Sequence, residues 1–285
     1  MPSMQKAKVM CIMAAQSGFD QRLSLPAMPP RTRLPAGHEL LSQILFAQGF
    51  GERRVCDGLV VKGLVKVHGE VVDDPDAVFP EDRLVLDVDG LPWVTHVKAL
   101  VMLHKPAGYE CSLKPGAWPG VHNLLPVPLR RRGLQPVGRL DQDTTGLLLL
   151  TDDGPLLHTL TSPKKNVPKV YEVTCKHPVT QAMCDKLLKG VVLDDDPEPV
   201  AAHAAERIWP PSVDGASPDA ETEAETLHLR LTLVQGKYHQ VKRMVAAVGN
   251  RVEGLHRSSI GRLALPEDLA VGQWCWVEDP AVVLP

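Results

Sequence analysis

The chain has 285 residues, of which 44% are apolar and 23% are charged, and its formal net charge is −3. These values are those of an ordinary globular protein and exclude a low-complexity or collagen-like chain. No apolar run approaches the roughly 20 residues that cross a bilayer, so we expect no membrane contact. The length allows one large domain and one small domain, each with its own core.

The small net charge hides a segregation of sign along the chain. Basic residues concentrate at 130–139, 164–169 and 237–262, whereas acidic residues concentrate in predicted loops at 194–198 and 214–225. Each basic stretch alone is more often a solvated surface. The three together favour a basic face that binds RNA, with the acidic loops held away from it.

The cysteines and histidines show no pattern of a metal site. The six cysteines are scattered without a Cys-x-x-Cys pair, and the eleven histidines have no ligand spacing with Cys, Asp or Glu. We therefore expect reduced, mostly buried thiols, no disulfide frame and no metal. No phosphate-cradling glycine loop stands out either, so we expect no cofactor.

Residues 1–37 contain several prolines and no sustained period, which predicts an irregular extension. Lysines precede a short apolar patch within residues 1–16, as in a secretory signal, but no cleavage pattern follows. We therefore expect a cytoplasmic protein.

Residues 38–90 are predicted to form a small domain. An amphipathic helix ends at Gln48-Gly49, a second helix covers Glu52 to Lys62, and a hairpin turns at His68-Gly69. This stretch resembles the α-L RNA-binding domain, which is also found in a ribosomal protein and in tyrosyl-tRNA synthetases. The resemblance implies that basic residues of the second helix and the following turn contact RNA phosphates; these are Arg53, Arg54, Lys62 and Lys66.

Residues 91–98, next to Gly90, are predicted to be a linker, and 99–279 a second domain, followed by a tail at 280–285. This domain begins with a buried strand, Ala99 to Leu103, and a turn at Lys105-Pro106-Ala107-Gly108. Further along the chain, four consecutive leucines, Leu147 to Leu150, predict another buried strand.

A polar loop directly precedes that leucine strand. Such a loop is a favourable place for a site, because the strand is rigid and the loop is accessible. A turn whose Asp residues bond their own backbone is the alternative. The loop reads Arg139-Leu140-Asp141-Gln142-Asp143-Thr144-Thr145-Gly146.

The pattern Arg-Leu-Asp-x-x-Thr-x-Gly-Leu-Leu resembles the signature loop of the pseudouridine synthases. The resemblance implies that Asp141 is the catalytic residue and that Arg139, Leu140, Thr144 and Gly146 support it. The Lys-Pro-x-Gly turn at Lys105 resembles the family's first motif, although His104 stands where Asn is usual.

Two further stretches resemble motifs of the same family. Lys169-Val170-Tyr171-Glu172-Val173 alternates as a half-buried strand, and the resemblance places Tyr171 against the target base; otherwise Tyr171 would be an ordinary core residue. His239 to Gly249 has apolar residues at helical spacing. There the resemblance implies that Lys242 pairs with Asp141, that Val241 supports the site, and that the Lys242 ammonium holds Asp141 less rigidly than an arginine fork would.

The remaining segments fit one fold class. Gln181 to Gly190 predicts a helix, Leu227 to Leu233 a strand, and 210–225 a surface insertion. The resemblance implies an α+β fold in which a mixed, mainly antiparallel sheet flanked by helices follows the small domain. Further expected RNA contacts are Lys105, Lys169, His239, Gln240 and Arg243.

The implied reaction isomerises a uridine of rRNA to pseudouridine. The stretch from Tyr238 to Arg257 is most similar to the branch that acts on small-subunit (16S) rRNA, and we expect a monomer that acts on that RNA or on an assembling subunit. Three alternatives remain: a large-subunit rRNA synthase, a non-catalytic RNA-binding assembly factor, and a hydrolase with Asp141 and Asp143 as its carboxylate pair.

Overall fold

A computed structural model of the chain describes residues 34–194, 196–209 and 225–284. The predicted extension at 1–37 therefore lies mostly outside the described residues, as does nearly all of the predicted insertion at 210–225. The chain divides into two compact units. The first combines the chain up to Ala99 with His122–Gln135 and Thr151–Asp153, and the second contains the rest.

The first unit contains a four-stranded antiparallel sheet in the order β3-β2-β5-β6 and a separate pair of strands, β1 with β4. Its strands are β1 (His38–Leu40), β2 (Val65–Val67), β3 (Glu70–Val71), β4 (Val78–Pro80), β5 (Val85–Val88) and β6 (Leu91–Val94). Its helices are α1 (Leu41–Gln48), α2 (Arg53–Val61) and α3 (Val127–Arg131).

The predicted hairpin of the small domain is present. His68 and Gly69 join β2 to β3 with φ of 50° and 91°. A turn with positive φ at both central residues matches the right-handed twist of the two strands. The predicted helices on either side of Gly49 are present as well.

The structure corrects the linker predicted at 91–98, because Leu91–Val94 is a strand that pairs with β5. Asp89 and Gly90 form the connecting turn with φ of 51° and 80°. Trp93 is buried in this unit and meets Phe50 edge to face at 5.3 Å between ring centroids. A glycine and a proline in the sequence indicated a break, but the glycine makes a hairpin turn.

Arg132 ties the three chain segments of the first unit together. Its guanidinium lies 2.6 Å from the Asp152 carboxylate and donates to Gln48 Oε1 and the carbonyl of His96, at 3.0 and 2.8 Å. The side chain is only 4% exposed. Arg132 thus does not belong to the basic surface predicted at 130–139.

The second unit is built on a nine-stranded sheet whose main path runs β13-β14-β10-β15-β9-β7-β17. The strands of this sheet are β7 (Leu100–Lys105), β8 (Gln135–Pro136), β9 (Thr145–Thr151), β10 (Lys169–Cys175), β13 (Ala204–Ile208), β14 (His228–Leu233), β15 (Val252–Ile260), β16 (Leu263–Ala264) and β17 (Trp274–Trp276). The first residue of β8 and the last residue of β9 belong to the first unit. Strands β11 (Val191–Leu193) and β12 (Asp196–Val200) form a separate pair. Its helices are α4 (Gly154–Thr161), α5 (Gln181–Lys189) and α6 (Gln240–Ala247).

The sheet is mixed and mainly antiparallel, which confirms the predicted α+β fold. Strands β9 and β15 pair in parallel, whereas β10 pairs antiparallel with both β14 and β15. All four leucines of β9, Leu147 to Leu150, are fully buried. A strand covered on both faces needs such a continuous apolar run.

Helix α6 packs its apolar side into the core of the second unit. Val241, Met244 and Val245 are buried there with Leu229 and Leu231 of β14. Its first turn therefore has a fixed position relative to the sheet. In the described ranges, no helix has the length and apolarity needed to cross a membrane.

Candidate active site

The polar loop before β9 is held close to β15. Gly146, at the start of β9, has φ of 104°, and a Cβ there would lie 2.3 Å from the carbonyl oxygen of Arg257. Only glycine permits both this conformation and this close approach. The loop also turns on itself, because the Thr144 N–H donates to the carbonyl of Asp141 at 3.1 Å.

Lys105 of β7 supports this loop from inside the protein. Its ammonium donates to the carbonyls of Thr144, Gln142 and Pro106 at 2.8, 3.1 and 3.0 Å. The residue is fully buried, and burial lowers its pKa below the usual value. A phosphate cannot reach it, so the predicted RNA contact of Lys105 is wrong and its role is to position the loop.

The carboxylate of Asp141 lies at the start of α6. His239 Nε2 is 3.2 Å from Oδ1, and Lys242 Nζ is 3.1 Å from Oδ2. His239 reaches this position from a left-handed conformation, with φ of 47° at the residue before α6. The structure thus brings together Asp141, His239 and Lys242, which the sequence separates by about one hundred residues.

Lys242 is shared between two carboxylates. Its ammonium also donates to both oxygens of Asp143, at 2.7 and 2.9 Å. Partial burial opposes the charge of Asp143, but the bond to Lys242, the charge of Lys242 and weaker contributions together outweigh burial and lower the pKa of Asp143. Burial likewise opposes the charge of Lys242, and its bonds to Asp143 and Asp141 raise the Lys242 pKa. Asp143 and Lys242 are therefore stabilised in their charged forms.

A cavity of about 430 Å³ opens beside Asp141. Tyr171 and Lys169 of β10 and Arg257 of β15 line it from the sheet, and Tyr171 and Arg257 are partners in the β10–β15 register. Side chains of directly opposed residues share one face of a sheet. Tyr171, Asp141 and Lys242 therefore meet at one cavity, as the sequence motifs indicated.

Lys169 points into the cavity. Its ammonium donates to the carbonyl of Val167 at 3.1 Å, and the structure describes no carboxylate bonded to it. Burial and the nearby charge of Arg257 lower the pKa of Lys169 to about 8. Any RNA contact of Lys169 would thus occur inside the cavity.

Gln240 is another predicted RNA contact. Its side chain is buried, and its Oε1 accepts the N–H of Lys237 at 2.8 Å. This bond ties the start of α6 to the turn before it, so Gln240 positions the helix, and any contact of Gln240 with RNA would occur at the cavity that it lines. Tyr238, in contrast, is well exposed at the cavity rim and stacks on the His239 ring at 3.8 Å.

The other predicted support residues surround the same cavity. Arg139, Leu140, Thr144 and Val241 line it, whereas Gly146 lies behind it against β15. Arg243 donates to the carbonyl of Tyr238 near the rim. The predicted phosphate contacts of the small domain lie in the first unit, where all of them are exposed: Arg53, Arg54, Lys62 and Lys66.

Arg257 has no predicted role, although it ends the stretch from Tyr238 that resembles the small-subunit branch. The residue is 1% exposed and lines the cavity, and its Nε donates to the carbonyl of Leu147 at 2.8 Å. An arginine in a strand is usually a surface residue, so neither the residue type nor its position in the sequence indicated that Arg257 is buried at the cavity. In the described ranges no cluster of three or more His, Cys, Asp or Glu residues could hold a metal ion.

Comparisons with known proteins agree on one family. The sequence profile described as RNA pseudouridylate synthase matches residues 99–247. The chain is 36% identical over 223 residues to "Ribosomal small subunit pseudouridine synthase A" of Pasteurella multocida (strain Pm70), which covers 78% of this chain and 88% of that protein. It is 38% identical over 230 residues to the protein of the same name from Escherichia coli (strain K12), and the alignment covers 80% of this chain and 92% of that protein.

A solved structure is similar as well. "Crystal structure of pseudouridylate synthase" aligns with a TM-score of 0.56 at 31% identity and covers 85% of this chain and 97% of that one. The match extends over both compact units of the chain and not over the sheet domain alone.

Proposed function

The chain belongs to the RNA pseudouridylate synthase family, and from this premise we propose that it isomerises a uridine of small-subunit (16S) ribosomal RNA to pseudouridine. The reaction detaches uracil from its ribose, turns it, and joins its carbon 5 to the sugar. The relatives at 36% and 38% identity carry the small-subunit assignment in their names.

One observation carries the proposal within this chain: Asp141 lies at a cavity that also contains Tyr171. Its carboxylate accepts from Lys242 and lies within 3.2 Å of His239, so both oxygens have a partner that stabilises negative charge. The cavity is large enough for one nucleobase, and the base must leave its stack to enter it.

Each residue has a proposed part in the reaction. Tyr171 stacks against the flipped base and offsets part of the cost of unstacking, with a contribution of about 1–3 kcal/mol. Asp141 acts as nucleophile or base on the nucleotide, and the Lys242 ammonium places a positive charge 3.1 Å from its carboxylate. Attack on the base, attack on the sugar and removal of a sugar proton are all compatible with this geometry.

The position of Asp143 disfavours the hydrolase alternative. A glycosidase places two carboxyl groups on either side of the scissile bond. Asp143 does not line the cavity, its side chain is 56% exposed, and it shares the Lys242 ammonium with Asp141. We therefore assign Asp143 to holding Lys242 and not to the reaction.

The proposed substrate also sets the partners and the location. The exposed cations of the first unit would bind rRNA phosphates and position the enzyme without reading sequence. Ribosome assembly takes place in the cytoplasm, so we place the protein there, acting as a monomer on 16S rRNA or on an assembling small subunit.

The proposal is tested with purified protein and 16S rRNA transcripts. We expect a product of unchanged mass that contains pseudouridine at a single position, detected by chemical mapping. Release of free uracil would indicate a hydrolase, and binding without any product would indicate an assembly factor. Modification of a large-subunit transcript alone would contradict the small-subunit assignment.

A further inference from the structure

Two residues that line the cavity each carry a buried polar atom with no hydrogen-bond partner among the described residues. These atoms are the terminal nitrogen Nη2 of Arg257 and the hydroxyl Oγ1 of Thr144. Both residues are 1% exposed, and both line the cavity beside Asp141. A buried polar group without a partner is unfavourable, so a folded protein seldom keeps two such groups in one place without a ligand to bind.

The strand register brings these two groups to the same end of the sheet. Arg257 of β15 pairs with Gly146 of β9, and Thr144 precedes Gly146 by two residues. Tyr171 pairs with Arg257 from the other side. The bond from Arg257 Nε to the carbonyl of Leu147 fixes the guanidinium and leaves Nη2 to a ligand.

We propose that Arg257 and Thr144 recognise the flipped uracil, with Arg257 Nη2 donating to its O4 and the Thr144 hydroxyl accepting its N3–H. This inference rests on the proposed function and deepens it. Uracil presents an acceptor, a donor and an acceptor along this edge. A guanidinium can only donate, and a hydroxyl can also accept, so the pair matches uracil.

The same pair rejects cytosine. Cytosine has an amino group in place of O4 and an acceptor in place of N3–H, so the Arg257 donor would face another donor. A site built to hydrogen-bond one group discriminates strongly against an analogue that leaves its buried polar atoms unpaired. Arg257 and Thr144 are in this sense specificity-determining residues.

The charge of Arg257 also suits the reacting base. When the bond between C1′ and N1 breaks, its electron pair stays with uracil, which becomes an anion with charge on N1 and its oxygens. The sugar regains an electron pair at C1′ from the Asp141 carboxylate or by losing its C2′ proton to that carboxylate. A fixed cation close to O4 stabilises the anion more than the neutral base, and such groups lower the barrier.

The anion then forms the new bond. After uracil has turned, the electron pair at C5 bonds to C1′, and either the Asp141–C1′ bond breaks or the C2′ proton returns. The C5 proton leaves to a base and N1 gains a proton, so the product is an isomer of the substrate. No oxidant, reductant or further reactant is needed.

A phosphate of the RNA is the other anion that a guanidinium could bind, and ligand binding separates the two. The probes are uracil, cytosine and inorganic phosphate, each titrated into the full-length protein by NMR. We expect the wild-type protein to bind uracil more tightly than cytosine. Arg257→Gln should lose uracil binding and leave phosphate binding unchanged.

Turnover provides the second measurement. On a 16S rRNA transcript, Arg257→Gln should lower kcat/KM by about 10²–10³-fold, as the loss of a charged donor to a transition state does. Thr144→Val should lower it by about 10-fold, as the loss of one hydrogen bond does. Binding of the transcript should weaken much less than turnover in both variants, because the predicted phosphate contacts lie at other residues.

Thr144→Val keeps the proposal testable if Arg257→Gln does not fold. Valine has the shape of threonine and removes an unpaired buried hydroxyl, so the Tm of this variant should be unchanged or higher. Full activity of a folded Thr144→Val or Arg257→Gln protein would overturn the role of that residue. Loss of phosphate binding in place of uracil binding, or absence of uracil binding in the wild-type protein, would overturn the base-recognition site.

The binding titrations need no turnover, so they distinguish this inference from the proposed function. Selective uracil binding that depends on Arg257 would stand even if the protein formed no pseudouridine in 16S rRNA. Pseudouridine formation that does not depend on Arg257 would retain the function and remove the inference.

Discussion

Among single residues, Asp141 and Asp143 share one ammonium but lie in different surroundings. Asp141→Asn should reduce pseudouridine formation to background and leave RNA binding intact, because the amide keeps the shape and loses the charge. Asp143→Asn is the matched control, since its side chain is more than half exposed and away from the cavity. It should retain most activity in the same product assay, and the reverse order of effects would exchange the two assignments.

Tyr171 has a ring and a hydroxyl whose contributions can be separated. Tyr171→Ala should weaken binding of substrate RNA by about 1–3 kcal/mol, because the stacking surface is lost. Tyr171→Phe should bind nearly normally. A Phe variant that binds and does not turn over would show that the hydroxyl takes the C5 proton in the last step. Full activity in both variants would make Tyr171 an ordinary core residue.

Lys169 makes stability depend on pH in a definite direction. Its pKa is about 8 in the folded protein and 10.5 in the unfolded chain, so between these values the unfolded chain binds more protons. Stability therefore rises with pH over this window, and below pH 8 the full cost of the buried charge is present. Lys169→Met should raise the Tm at pH 7 by a few degrees.

The gain in Tm of Lys169→Met should shrink as the pH approaches 10.5. Scanning calorimetry of both proteins across this pH range measures it. Lys189→Met is the control, because Lys189 is exposed near the end of α5 and should change the Tm little at any pH. A Lys169→Met protein that is less stable than wild type at pH 7 would contradict the assigned cost of burial.

At the level of secondary-structure elements, the junction of β9 with β15 tolerates no side chain. Gly146→Ala would place a Cβ against the backbone of Arg257 and would also require φ of 104° from alanine. We expect a loss of at least about 3 kcal/mol, measured by denaturant unfolding. Gly154→Ala, at the start of α4 with open space around it, should be neutral or slightly stabilising.

Elements with a regular apolar period were predictable from the sequence, and elements whose period is interrupted were not. The leucine run of β9 and the alternation of β10 and β14 identified three strands of the main sheet. Strand β15 was missed, because Arg257 and the two serines after it replace the expected apolar residues where the strand borders the cavity. Proline at positions 197 and 199 likewise concealed β12.

The residues of the site were predictable from the sequence, but the directions in which their side chains point were less so. Family motifs selected Asp141, Tyr171 and Lys242, and the structure places all three together. Sequence could not tell that Lys105 points inward, because a lysine after a buried strand has the same pattern whether its ammonium meets water or three carbonyls. Only the path of the loop over β7 decides this.

For the molecule as a whole, we expect the positive charges of the small domain to contribute to RNA affinity. Substituting Arg53, Arg54, Lys62 and Lys66 together by alanine should weaken binding of 16S rRNA and lower the salt slope. Each lost contact should reduce the slope of log K against log salt by about 0.7–0.9. Alanine at the exposed Lys186 and Lys189 of α5 is the control, and an equal loss there would mean that the effect is not specific to the small domain.

Arg132 joins three stretches that are separate in the sequence. The first unit is therefore complete only after the third stretch has been synthesised. Its last stretch ends at Asp153, about fifty residues beyond Ala99. At roughly 5–20 residues per second, the ribosome needs about 3–11 s to add them. During this interval the first stretch lacks Asp152, and Arg132 leaves the exit tunnel before its partner. The domain predicted to bind RNA thus reaches its final stability only after the Asp141 loop has been translated.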